Sequence, residues 1–130
     1  MRIETEIKLD YSDVLLRPKR STMGSRKEVE LNREYNFKNY LQRREPHYSG
    51  IPIMAANMDG VGELSIAENL NEYGMITCLT KQHDAKKIKQ NKNIKKIYSN
   101  IALSVGIKKE DFQNLDKVLK EFNFFKFICI

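Results

Sequence analysis

Ile51-Pro-Ile-Met-Ala-Ala-Asn-Met-Asp59 is the stretch whose reading decides the fold. Its first six residues are apolar without alternation, and the segment then breaks into polar residues and the Gly60-Val-Gly62 turn. An apolar run of this length without a period of two suits a strand covered on both faces, as in a parallel sheet. Outward from it, comparable runs recur at Gly74 to Leu79, Ile97 to Val105 and Phe124 to Ile130. Helical patterns lie between them. Ile66, Leu70 and Tyr73 share a face, with Gly74 as C-terminal cap. Asp84 is placed to cap a short helix to about Gln90 whose one inward residue is Ile88. Leu115, Val118, Leu119 and Phe122 follow the spacing of an amphipathic helix. With Asn57, Thr80, Ser104 and Ile130 as the last strand residues, the spacings are about 23, 24 and 26, the period of compact strand-plus-helix units. The predicted order is βαβαβαβ, and a leucine-rich solenoid is disfavoured because its Leu-x-x-Leu-x-Leu pattern is missing.

Residues 1–50 do not follow this period and read as an extended arm with one strand pair, Val29 to Leu31 and Tyr35 to Phe37. Such arms cover a barrel or reach a neighbouring subunit. A length of 130 residues is one ordinary domain but short for a catalytic barrel, so the chain is one small domain or part of a larger one. With 41% hydrophobic and 31% charged residues and no apolar run near the roughly 20 that span a bilayer, it reads as soluble, with no membrane partner. The charged N-terminus lacks an apolar signal region, and the expected location is the cytoplasm. The net charge of +6 is concentrated at Lys86, Lys87, Lys89, Lys92, Lys95 and Lys96. That cluster lacks arginine and has only Tyr98 nearby, so it reads as a solvated helix face and not as a nucleic-acid site. Excess positive charge also suits a phosphorylated ligand. Cys78 and Cys129 sit in apolar segments outside any CxxC pair and read as buried reduced thiols.

In parallel α/β folds ligands bind beyond the carboxyl ends of the strands, and the last apolar run stops at such an end. Gly60-Val-Gly62 could offer backbone N–H groups to a phosphate, although Ser65 stands where a G-x-G-x-x-G motif has its third glycine, and a tight turn without ligand is the better reading. Asn57, Met58 and Asp59 follow the first strand. The Asn amide can pair with both donor and acceptor sites of a heteroaromatic ring, and Met can pack on its face. Lys81, after the second strand, is either a solvent-exposed strand terminator or a cation aimed at a phosphate or a developing negative charge. His83-Asp84 reads as a surface His beside a capping Asp, and His47 lies in the arm without an evident partner. The sequence contains no metal-ligand cluster, nucleophile elbow or P-loop.

Lys8-Leu9, Asp13-Val-Leu-Leu-Arg-Pro-Lys-Arg-Ser-Thr22, Ser25-Arg26, Tyr48-Ser-Gly-Ile-Pro-Ile53, Ala55-Ala-Asn-Met-Asp59 and Val61-Gly62 together resemble the N-terminal part of the inosine monophosphate dehydrogenase and GMP reductase family. The Ala55-Ala-Asn57 form is similar to the reductase branch, and Ile76 to Lys81, Leu103 to Gly106, Asp111-Phe112 and Phe127 to Ile130 fall in register with the family's later strands. The resemblance implies an α/β fold in which residues 51–130 are the N-terminal half of a (β/α)8 TIM barrel, about four parallel strands with helices, preceded by the arm at 1–50. It implies NADPH-dependent reductive deamination of GMP to IMP and ammonia, a purine-salvage reaction, in a homotetramer or with a complementing C-terminal half.

By the same resemblance, Ser25 and Arg26 hold NADPH from the adjacent subunit, Lys81 lies near the cofactor, and Asn57 and Met58 lie beside the purine. The family's nucleophilic cysteine, on a loop beyond the sixth strand, has no counterpart here, and neither Cys78 nor Cys129 matches it, so no catalytic residue is assigned. A monovalent cation would belong to a site outside this chain. The sequence departs from the family's pattern at Gly60, Thr80 and Gln82, in the insertion-like Gln42-Arg-Arg-Glu-Pro46, and in lacking the Asp-Val-Ala-Asn-Gly segment that contacts the cofactor. Two rival readings are a divergent dehydrogenase fragment, which would use water, and a non-catalytic nucleotide-binding or regulatory subunit. A truncated product, one part of a split enzyme and a piece of a longer protein are all compatible with the residues.

Overall fold

The structure, a computed structural model, describes residues 5–37 and 47–130, so the insertion-like Gln42 to Pro46 lies outside the described residues. Contacts divide the chain into two compact units, Met1–Glu30 and Leu31–Ile130. The first is built from local polar bonds. Asp10 and Asp13 bracket a 3-10 turn at Tyr11–Asp13, the Asp10 carboxylate accepting from Tyr11 N at 2.7 Å and the Asp13 carboxylate from Asp10 N at 2.9 Å. A second such turn at Arg26–Glu28 is capped by Ser25. Tyr11, Leu15 and Leu16 are exposed.

The second unit begins with an antiparallel hairpin of β1 (Arg33–Asn36) and β2 (His47–Gly50), in which Tyr35 pairs with Tyr48. The sequence led us to expect Val29 to Leu31 as the partner of Tyr35. Val29 and Leu31 are exposed, whereas β2 alternates and buries Tyr48, which supplies the apolar contact that a two-stranded ribbon needs. After the hairpin come β3 (Met54–Ala55), α1 (Leu64–Asn71), β4 (Ile76–Leu79), α2 (Ala85–Gln90), α3 (Ile94–Ile97), β5 (Ile101–Ser104), α4 (Lys109–Glu121) and β6 (Phe127–Cys129). The strands form one sheet in the order β3-β4-β5-β6, every pair parallel.

Strand pleating sorts the core into two layers. Leu79, Ile101 and Leu103 face one way and pack with Ala67 of α1, Ile88 of α2, Ile94 and Ile97 of α3 and Val118 of α4. Ile76, Cys78 and Ala102 face the other way and meet Tyr48, Phe127 and Cys129. Among the described residues α1 to α4 therefore all cover one face of a sheet whose strand order never reverses. A doubly wound sheet places helices on both faces and reverses its order; a barrel does neither. The sheet is thus the first part of a barrel wall. The hairpin covers the inner face at the strands' amino ends: Tyr48 packs edge-on against Phe127, and its hydroxyl lies 2.6 Å from the carbonyls of both Ile51 and Gly74.

The four apolar runs all yield strands, but shorter ones. Pro52 has no N–H for the ladder and Ile53 N turns back to Ile51 O, so β3 begins only at Met54. Ile97 belongs to the helical turn α3, followed by a 3-10 turn at Tyr98–Asn100, and β5 starts at Ile101. α2 and α4 follow their patterns, whereas α1 turns a face other than Ile66, Leu70 and Tyr73 to the core. Gly74 ends the α1 segment at φ +65, with Gly74 N bonded to Asn71 O and Met75 N to Leu70 O, the paired bonds of a Schellman cap. The inward residues of α1 are Ala67 and Leu64, while Tyr73 is exposed. Asp84 caps α2 through Lys87 N at 2.8 Å, and Ile88 is fully buried. Leu79, Ile88 and Ile101 each contribute roughly 1.5–3 kcal/mol by burial.

Two substitutions test this packing. Thr77 is fully buried and its hydroxyl has no partner among the described residues, so Thr77→Val is expected to stabilise the chain by about 1 kcal/mol, read as a higher urea midpoint. At Gly62 a Cβ would overlap the Cys78 carbonyl oxygen and stand 3.1 Å from Ala56 O. Both are backbone atoms, so Gly62→Ala should lower the midpoint by the equivalent of about 1–3 kcal/mol.

Candidate functional site

At the carboxyl ends of β3, β4 and β5 the chain leaves the sheet through loops, and these enclose a groove of about 330 Å³. Asn57 and Asp59 line it from the loop after β3, Thr80, Lys81 and Gln82 from the loop after β4, and Ser104 from the end of β5. The helices lie on the outer face, so the groove opens toward the barrel mouth. Its wall holds two amides, two hydroxyls, a carboxylate and an ammonium group, a set suited to a polar, anionic ring compound.

Of the residues singled out from the sequence as ligand candidates, the groove brings together Asn57, Asp59 and Lys81. Lys81 is exposed and has no carboxylate partner among the described residues. Asn57 Nδ2 comes within 4.0 Å of Cys129 Sγ on the inner face. Met58 is 62% exposed and stands off the groove wall, while its carbonyl accepts from Val61 N and Gly62 N and so shapes the turn. The Gly60-Val-Gly62 turn serves packing: Gly62 lies against β4 and its carbonyl accepts from Thr80 N at 3.0 Å. Ser25 Oγ accepts from Lys27 N at 3.2 Å, and Arg26 beside it is exposed.

Sequence reasoning missed two features. Ser104 Oγ is buried at the groove without a partner among the described residues; its signal is a hydroxyl at the last position of an apolar strand. His83 is no surface residue. Its side chain is 6% exposed, with Nε2 3.1 Å from Glu63 Oε2 and Nδ1 3.0 Å from Thr80 Oγ1. Asp84 caps α2 as expected, so the two adjacent residues serve different partners. His47 also has a partner, its Nδ1 lying 3.0 Å from Asn36 Oδ1 across the hairpin. Among the described residues no group of three or more His, Cys, Asp or Glu is placed to hold a metal ion, and no helix is long and apolar enough to cross a membrane.

The description "IMP dehydrogenase / GMP reductase domain" belongs to the family model that matches residues 8–120. The chain belongs to the IMP dehydrogenase / GMP reductase family. It is 42% identical over 131 residues to a GMP reductase of Caenorhabditis elegans, covering 99% of this chain and 36% of the relative. It is 39% identical over 132 residues to a GMP reductase of Vibrio campbellii and 40% identical over 134 to one of Aliivibrio fischeri, each covering 100% of this chain and 37% of the relative. The chain thus spans about a third of the length of the curated relatives it matches. Within the IMP dehydrogenase / GMP reductase family, its sheet and one-sided helices form part of a TIM barrel.

This family member's two cysteines are free thiols on the inner face, and they differ in exposure. Burial, with the neighbouring Cys129 thiol as a smaller cause, pushes Cys78 from 9.0 up to about 11. Iodoacetamide at pH 8 should therefore label Cys129 well before Cys78, as read by peptide mass. Because the folded thiol holds its proton above the unfolded value, its contribution to stability is fully present below pH 9 and lost as pH rises toward 11. A Cys78→Ala variant should show a smaller alkaline loss of stability over that window.

Proposed function

We propose that this chain is the N-terminal part of an enzyme that converts GMP to IMP and ammonia by NADPH-dependent reductive deamination, in purine salvage. The observation that carries the reading is the 39 to 42% identity, along the whole chain, to proteins named GMP reductase. The groove supports it chemically. Its volume of about 330 Å³ lies at the lower end of small-molecule pockets, roughly 300–1,000 Å³, and suits a base-sized part of a nucleotide better than a whole dinucleotide.

In this reading the Asn57 amide orients a ring edge, donating from Nδ2 and accepting at Oδ1. Lys81, unpaired among the described residues, holds an anionic group or the negative charge that develops on the ring, and its flexible stem allows it to reach. The Ser104 hydroxyl has free hydrogen-bonding capacity toward a bound polar atom. Bound NADPH would supply a hydride to the purine ring. Met58 packs on the purine from the exposed side of its loop, and Ser25 and Arg26 serve the cofactor of a neighbouring subunit in a cytoplasmic homotetramer.

The test is a chimera in which residues 1–130 replace the matched segment of the Caenorhabditis elegans relative. It should oxidise NADPH in the presence of GMP and release IMP. Lys81→Ala should lower turnover by about tenfold or more, the loss of one preorganised charge. Arg26→Ala should instead raise the KM for NADPH roughly ten- to a hundredfold, equivalent to about 1.5 to 3 kcal/mol for a charge-assisted contact. A folded chimera that oxidises IMP would favour the dehydrogenase reading, and one that binds GMP without turnover would favour a non-catalytic subunit.

A further inference from the structure

Behind the groove three side chains form a chain of hydrogen bonds that the reaction above leaves unused. Glu63 Oε2 lies 3.1 Å from His83 Nε2, and His83 Nδ1 lies 3.0 Å from Thr80 Oγ1. They are drawn from separate loops. Glu63 ends the loop after β3, immediately before α1, whereas Thr80 and His83 flank the loop after β4. The imidazole is nearly sealed, at 6% exposure, and the carboxylate beside it is 39% exposed. Nε2 faces the Glu63 carboxylate, and Nδ1 faces both the Thr80 hydroxyl at 3.0 Å and the Thr80 carbonyl at 3.2 Å, so both ring nitrogens have a partner. The main chain reinforces the same joint: Thr80 N donates to Gly62 O at 3.0 Å and His83 N to Thr80 O at 3.1 Å.

Lys81 stands one residue after Thr80 and two before His83, on backbone that is held at both ends. A lysine carries large rotamer entropy, so fixing its backbone removes part of the ordering that ligand binding would otherwise require. An apolar residue at position 83 could fill the same space, but it could neither tie the two loops together nor fix the Thr80 hydroxyl. We propose that Glu63, His83 and Thr80 are positioning residues, a relay that holds the backbone of Lys81 at the groove before an anionic nucleotide arrives. The proposal rests on the reading of the groove as a nucleotide site; Glu63 and His83 stand outside the groove wall, and Thr80, which lines it, turns its hydroxyl to His83.

The test uses the 130-residue chain labelled with nitrogen-15 and needs no ligand. His83→Asn keeps an amide near the Nδ1 position and so the Thr80 link, whereas His83→Leu removes both links. Ile88→Val, in the outer core, serves as a control for general destabilisation. In the unsubstituted chain the imidazole Nε2, which faces the Glu63 carboxylate, should hold a proton without averaging between the two nitrogens. His83→Leu should speed amide exchange at Thr80 and at position 83 by about tenfold or more relative to Ile101, and His83→Asn should restore most of the protection at Thr80. Ile88→Val should leave that ratio unchanged. Averaged nitrogen shifts, or unchanged exchange at Thr80 in His83→Leu, would overturn the relay. So would a His83→Asn variant that behaves like His83→Leu, because the ring would then act by packing alone. These readings do not depend on turnover: a silent chimera argues against the nucleotide assignment, and a freely tautomerising ring argues against the relay.

Discussion

No side chain fits between the turn after β3 and the end of β4, and the rest of the groove depends on that contact. Gly62 lies against the Cys78 carbonyl and passes its own carbonyl to Thr80 N. The contact fixes the distance between the first two loops at the mouth, and so brings Asn57 and Lys81 to one groove. A larger residue would push the turn outward and separate them. The Glu63 and His83 side chains add a second tie a few ångströms away, across the same gap. Backbone closeness thus comes first, and the polar side chains are arranged upon it.

The strands were legible because burial on both faces leaves an unbroken apolar run, and Ile76 to Leu79 is buried at every position. Their ends were less so. Ile97 is apolar because it packs beneath a helical turn, and an apolar residue carries no mark of which element buries it. The hairpin was harder still. His47-Tyr-Ser-Gly50 holds a single large apolar residue, and its pairing with Arg33–Asn36 depends on Tyr48 reaching the sheet, a contact far away in sequence. Local patterns pointed instead to Val29 and Leu31.

The candidate site divided along similar lines. Asn57 and Lys81 were found because their places relative to strand ends follow from the period of the chain. His83 was misjudged as a surface residue because its partner Glu63 lies twenty residues earlier, in the loop after β3, and nothing local in the sequence links the two. Ser104 Oγ could be recognised as unpaired only once the atoms around it were known. What spacing conveyed was position along the wall; what it could not convey was which groups meet across a loop.

The one-directional winding of the sheet has a consequence for how such a molecule can change. β3, β4 and β5 each deliver a loop to the same rim, while Tyr48 and the hairpin close the opposite end with aromatic packing. Lys81 and Gln82 of the rim lie outside the cluster that Tyr48 joins, so substitutions there can alter what is bound without loosening the plug. Conversely, every added strand-and-helix unit enlarges the rim by one more loop. A fold wound in this way separates durability from invention, and it does so along the axis of its own strands.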